Sequence, residues 1–201
     1  MQDHHECVCE DGLCGRRQVA TYRNSMYLGV AKSGSTSIIA SIFRANKKQG
    51  DRYFFLPKKD IISDKRYKFS FVRNPYTRLV SCWQGWTKRE DSPLFNNPLL
   101  TYNMSFSDFV YAVSKIPNDE SNRHYVSQAT ILDNGKLVDF IGKLENIESD
   151  WKTIQSKTGL GILKQQAKGK YTNHMSFYND ELKRIVYDRY IDDFKVFKYE
   201  K

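Results

Sequence analysis

No stretch of the 201-residue chain approaches the roughly 18 consecutive apolar residues that a membrane-spanning helix needs, and its opening residues do not read as a secretory leader. Internal repeats and low-complexity linkers are also missing. These absences exclude a helical membrane protein and a repeat array, and they predict one domain, without stable membrane insertion, in the cytoplasm. Cysteine is scarce: Cys7, Cys9, Cys14 and Cys82. The first three crowd together with His4 and His5, but their C-x-C-x4-C spacing lacks the second paired knuckle of a structural zinc site. Residues 1–20 therefore read as a peripheral segment without a metal, able to form a disulfide, and residues 21–201 as the domain. Acidic residues are in the minority, 23 against 32 Lys and Arg, for a net charge of +9. That balance suits anionic ligands, nucleic acid and acidic glycans included. The lysines are dispersed apart from Lys47-Lys48, Lys58-Lys59 and Lys65-Arg66, which argues against a nucleic-acid stripe. With 40% hydrophobic and 14% aromatic residues, the chain has enough apolar material for a full core.

What the chain does have is Gly29-Val-Ala-Lys-Ser-Gly-Ser-Thr-Ser37. It nearly spells the nucleoside triphosphate loop G-x-x-x-x-G-K-[ST], but Ser35 stands where that loop has its lysine. Lys32 precedes the second glycine and aims its charge at a different point. Ser25 to Val30 reads as a buried strand, and Ile38, Ile39, Ile42 and Phe43 recur at helical spacing. The first N–H groups of that helix, near Ser35, Thr36 and Ser37, face whatever anion the loop holds.

A second segment runs from Lys68 to Trp83. Phe69 and Phe71 alternate with polar residues as in a strand that ends at Arg73, and Pro75 opens the next helix. Open α/β sheets bind ligands at the carboxyl ends of their strands, so Arg73 offers a donor fork there, with the Ser81 hydroxyl as a further donor. Arg78 is expected on the solvated side of that helix. No Walker-B acid stands out: Asp60 and Asp64 lie in a Lys-rich connection, and Asp139 is inside a strand-like run.

At this point the residues resemble a family. Val30-Ala-Lys-Ser-Gly-Ser-Thr-Ser37 is similar to the 5′-phosphosulfate loop of sulfotransferases that use 3′-phosphoadenosine-5′-phosphosulfate (PAPS). Phe71-Val-Arg-Asn-Pro-Tyr-Thr-Arg-Leu-Val-Ser81 is similar to their 3′-phosphate motif, and Met175 to Phe194 resembles the closing segment of the carbohydrate, Golgi-type branch. Asn74 and Cys82-Trp83 depart from residues many relatives carry, without touching a phosphate donor. The resemblance implies that Lys32, Ser33, Gly34, Ser35, Thr36 and Ser37 hold the sulfate-bearing end, and that Arg73 and Ser81 hold the 3′-phosphate. It further implies that Lys32 stabilises the leaving oxygen without a metal, that the nucleotide product is 3′-phosphoadenosine-5′-phosphate (PAP), and that the acceptor is a hydroxyl, on a glycan by the tail. Lys170 and Tyr171, in a basic loop, are placed near the cofactor. Golgi relatives are anchored, so a lumenal domain without its anchor is the alternative location.

The acceptor hydroxyl needs a base, and histidine titrates closest to neutrality. His124 lies in an H-x-x-x-Q segment that resembles the acceptor side of carbohydrate sulfotransferases; His174 precedes the last helix. Glu145, after the strand-like Leu137 to Leu144, is the rival base. The predicted fold is a three-layer α/β domain around a parallel sheet of about four or five strands, with a P-loop-like anion loop. A nucleotide or small-molecule kinase would explain the first loop alone, and a basic glycan- or nucleic-acid-binding module the charge alone.

Overall fold

A computed structural model describes residues 16–46, 53–164 and 173–201. Lys47-Lys48, the cysteines and histidines of the first fourteen residues, Lys170 and Tyr171 all lie outside the described residues.

The sheet has five strands in the order β3-β1-β2-β4-β5: β1 Arg16–Tyr22, β2 Ser25–Leu28, β3 Phe54–Pro57, β4 Tyr67–Val72 and β5 Phe140–Lys143. β2, β4 and β5 run parallel, with Phe69 opposite both Tyr27 and Phe140. The α/β domain with a five-stranded sheet and a parallel centre is as expected, and β1, antiparallel to β2 and to β3, adds an antiparallel margin to it. The cause is local. Only Arg23 and Asn24 separate β1 from β2, Arg23 adopts a left-handed conformation (φ 49°), and a link that short can join only antiparallel strands. β1 also crosses the boundary drawn between residues 20 and 21, so the sheet begins inside the segment read as peripheral.

Both faces of the sheet are covered, which is why the central strands do not alternate apolar with polar: all four residues of β2 are buried, as are Phe69 to Val72. On one face, Tyr27, Phe69 and Phe71 pack against Ile38, Ile39 and Ile42 of α1 (Ser35–Ala45) and against Trp151 and Ile154 of α6 (Ile147–Thr158). On the other, Val19, Met26, Leu28 and Val72 pack against Ile61 of α2 (Lys58–Ser63), Ala129 and Leu132 of α5 (Gln128–Leu132) and Phe197 of α8 (Ile191–Phe197). A further cluster lies among α3 (Pro75–Trp86), α4 (Phe106–Lys115) and α7 (Asp180–Arg189). Helix starts follow their caps: Asn74 accepts from the Tyr76 N–H behind Pro75, Ser105 from Asp108, and Asn179 from Leu182. The tail forms two helices, α7 and α8, separated at Tyr190.

Candidate active site

The loop after β2 and the end of β4 lie side by side at the carboxyl edge of the parallel strands. Gly34 caps α1 at φ 83°, a left-handed conformation that glycine adopts without strain, and it gives the helix no side-chain cap. The N–H groups of Gly34, Ser35 and Thr36 have no acceptor among the described residues. Three donors and the positive end of the α1 dipole thus meet at one mouth, the arrangement that binds an anion. The hydroxyls of the loop behave differently. Ser35 Oγ donates to the Val30 carbonyl and accepts from Tyr27 Oη at 3.2 Å. Ser33 is fully buried, with its Oγ donating to Gln128 Oε1 (3.1 Å) and its N–H to the Val30 carbonyl (3.3 Å). Ser33 therefore presents no free donor to a ligand and serves to fix the loop. Thr36 is exposed at the mouth, and Ser37 continues the first turn.

Lys32 also takes a left-handed conformation (φ 68°), which turns its side chain toward α3. Burial holds its ammonium below the usual lysine range, and the charges of Arg73 and Arg78 push the same way. Cys82 lies close by, but burial pushes its thiol up to about 11, so it stays neutral. Arg73 is held on three sides: Nε donates to Thr77 Oγ1 (3.0 Å), Nη1 to the Lys32 carbonyl (3.3 Å) and Nη2 to His174 Nε2 (3.2 Å). A guanidinium only donates, so His174 Nε2 carries the lone pair and the imidazole is neutral. Burial and the Arg73 charge both hold it that way. His174 thus belongs to the Arg73 side of the site.

Arg73 opens onto a cleft of about 540 Å3 that is also lined by Asn74, Thr77, Leu144, Glu145 and Lys201. Both carboxylate oxygens of Glu145 are engaged there, Oε1 by the Asn74 N–H (2.7 Å) and Oε2 by Tyr199 Oη (3.0 Å). Glu145 stands beside the arginine as a counter-charge, in a short 3-10 turn, Leu144–Asn146, ahead of α6.

Arg78 is not on a solvated face. It is 2% exposed, and it donates to the carbonyls of Ala31 (3.1 Å), Val126 (2.7 Å) and Arg123 (3.3 Å). Backbone acceptors satisfy the guanidinium, which is what permits its burial. It pins the segment carrying His124 to the Lys32 loop. His124 is 6% exposed, packs on the Trp86 ring at 4.6 Å, and has Nδ1 2.6 Å from Asn122 Oδ1. That amide oxygen also accepts the His124 backbone N–H, so Nδ1 bears the proton and Nε2 the lone pair. Burial, with the charges of Arg123, Lys32 and Arg78, depresses the imidazole to about 2. The expected titration of His124 near neutrality is thereby corrected.

Ser81 is half-buried on α3, with no hydrogen bond to its hydroxyl among the described residues. Thr77, Ser81 and Gly85 recur every four residues along one stripe of that helix. Thr77 holds Arg73, and Gly85 underlies Lys32.

Gln128 joins the halves. Its Oε1 accepts from Ser33 Oγ and the Arg73 N–H (2.9 Å), while its Nε2 donates to the Arg73 carbonyl (2.8 Å) and to Asp193 Oδ2 (3.1 Å). Asp193, fully buried on α8, also accepts from Ser127 Oγ and from the N–H groups of Gln128 and Ala129. Sequence reasoning placed Gln128 on the acceptor side and passed over Asp193. One signal for Asp193 was present: it shares the helical face of Tyr190, Phe194 and Phe197, and an acid on an apolar face needs buried donors.

Residues 19–200 match the sequence model of the sulfotransferase family. No curated protein and no solved structure matches the chain. The family match spans the anion loop, Arg73, Gln128 and Asp193 in one continuous run, and the chain belongs to the sulfotransferase family.

Proposed function

We propose that this sulfotransferase uses PAPS as its donor and a hydroxyl, on a glycan by the resemblance of its tail, as its acceptor. The observation that supports this reading is the coupling of two cationic points: Gln128 ties the Lys32 loop to Arg73, so two anionic ends of one ligand are addressed at a fixed separation. The residues fit PAPS. Unpartnered N–H groups at Gly34, Ser35 and Thr36 suit its 5′ end, and Arg73 with the unbonded Ser81 hydroxyl suits a 3′-phosphate. When bound, PAPS supplies an activated sulfuryl group. Lys32 faces the negative charge that builds on the departing phosphate oxygen, and preorganised cations and amides of that kind can stabilise such charge without a metal ion. His124 Nε2, which carries the lone pair, would accept a hydrogen bond from the acceptor hydroxyl and orient its oxygen toward the sulfuryl group; an imidazole depressed to about 2 positions that hydroxyl and does not keep its proton. Glu145, with both oxygens engaged, supports Arg73 instead. The kinase reading lacks its lysine, because Ser35 occupies that place with its hydroxyl turned onto Val30.

The nucleotide part of this reading is tested by calorimetry with PAP and ADP. ADP lacks a 3′-phosphate and leaves a largely buried guanidinium without its anion, a loss of about 2 kcal/mol that corresponds to roughly thirtyfold weaker binding. Equal affinities would overturn the PAPS assignment.

The acid side of the pH profile tests His124. An imidazole depressed to about 2 stays neutral throughout the physiological range, so it contributes no acid limb near pH 6.5 to kcat/KM. His124→Ala is expected to lower the whole curve by roughly tenfold or more, through lost orientation of the acceptor, without changing its shape. An inflection near pH 6.5 that vanishes in the variant would contradict the burial assigned to this histidine. Stability follows the same linkage. The unfolded chain protonates His124 below about pH 6.5 while the folded chain does not, so the protein is expected to lose stability as the pH falls below that point.

A further inference from the structure

Gly85 lies inside α3, where glycine is among the poorest choices for a helix, and its backbone conformation does not require glycine. Packing against the core does not require it either, because the residue is exposed. A β-carbon built there would meet two atoms within 4 Å, both at the end of one side chain: Lys32 Nζ at 2.7 Å and Lys32 Cε at 3.9 Å. The bare backbone of α3 at this position is thus the floor on which the ammonium rests. Lys32 reaches that floor because its own backbone is left-handed, and among the described residues it has no ion-pair partner to hold it there. Its position is set by shape: Gly85 below, and Arg73 and Arg78 repelling it from the side.

We propose that Gly85 is a positioning residue for Lys32, its missing side chain reserving the space from which the ammonium reaches the departing oxygen. Any β-carbon at 85 displaces the ammonium along its flexible stem. The rate of sulfuryl transfer then falls while the fold and the loop amides stay as they are. This inference rests on the role given to Lys32 above.

Gly85→Ala is the test, with kcat, KM and melting temperature measured in the wild-type and Lys32→Ala backgrounds. Alanine is the better helix former, so the melting temperature is expected to rise or hold. In the wild-type background kcat is expected to fall on the order of tenfold, as for a reacting group misplaced by a fraction of an ångström, with KM for the acceptor little changed. In the Lys32→Ala background the same substitution is expected to be silent within about twofold, because the group it displaces is gone. Three results would overturn the proposal: unchanged kcat in the wild-type background, a lowered melting temperature accompanying the loss, or an equal loss in both backgrounds. If Lys32→Ala itself retains full turnover, the role of Lys32 fails instead, and that outcome is separate from the behaviour of Gly85→Ala.

Discussion

Lys32→Ala is expected to lower turnover by at least about a hundredfold and to leave the protein folded, the magnitude that follows removal of one preorganised donor to developing charge. The fold should survive because Lys32 contributes repulsion to its surroundings: burial and the neighbouring Arg73 and Arg78 already disfavour its ammonium. Its left-handed backbone costs alanine about what it costs lysine. Binding of PAP should weaken far less than turnover, since the N–H groups of Gly34, Ser35 and Thr36 and the Arg73 fork remain. A chelator should leave the wild-type rate unchanged. The measurements are transfer of a labelled sulfuryl group, PAP calorimetry and a thermal melt on the same preparations. Turnover within a few-fold of wild type would remove Lys32 from the chemistry.

The local geometry of the two points proposed to bind anions was legible in the sequence because each is set by near neighbours. Gly34 before a helical apolar stripe, and Arg73 at the end of an alternating strand, are set by a few neighbouring residues and by chain direction. What holds them together was not legible, because it is built by contacts across long sequence separations. Gln128 reaches back 55 residues to Arg73 and 95 to Ser33, and Asp193 reaches back 65 to Gln128. Arg78 shows the same limit from another side. By pattern it falls off the apolar face of α3, yet three carbonyls from two other segments supply the acceptors that bury it. Strand β1 was hidden for a related reason: Arg16, Arg17 and Gln18 read as polar, but Arg17 is buried with its Nε on the Ile131 carbonyl (2.7 Å). The neutrality of His124 likewise depends on burial, to which the Trp86 ring contributes, and on Lys32 and Arg78, which are remote in sequence, as well as on the adjacent Arg123.

Asp193→Ala is expected to be the most destabilising of these substitutions, although the residue touches no ligand. All four of its partners are donors: Ser127 Oγ at 2.6 Å, the N–H groups of Gln128 and Ala129 at 3.0 and 2.7 Å, and Gln128 Nε2 at 3.1 Å. Hydrogen bonds to a charged acceptor are the strong ones, and stranding several buried donors at once should cost at least about 3 kcal/mol. For a chain of this size that corresponds to a fall of roughly 10 °C in melting temperature. Asp193→Asn should do little better, because its amide nitrogen would place a donor against donors on one side of the carboxylate site. The effect should also reach the ligand. Without Asp193, Gln128 loses one of the two acceptors of its Nε2 and with it the fixed orientation that lets Oε1 hold both Ser33 and the Arg73 N–H. PAP affinity measured below the lowered melting point should therefore fall in parallel, and Gln128→Leu should reproduce the loss of affinity with a smaller loss of stability. A variant at Asp193 that melts as the wild type does would show that α8 docks by its apolar residues alone and that the two anion-binding loops are held in register by something other than this network.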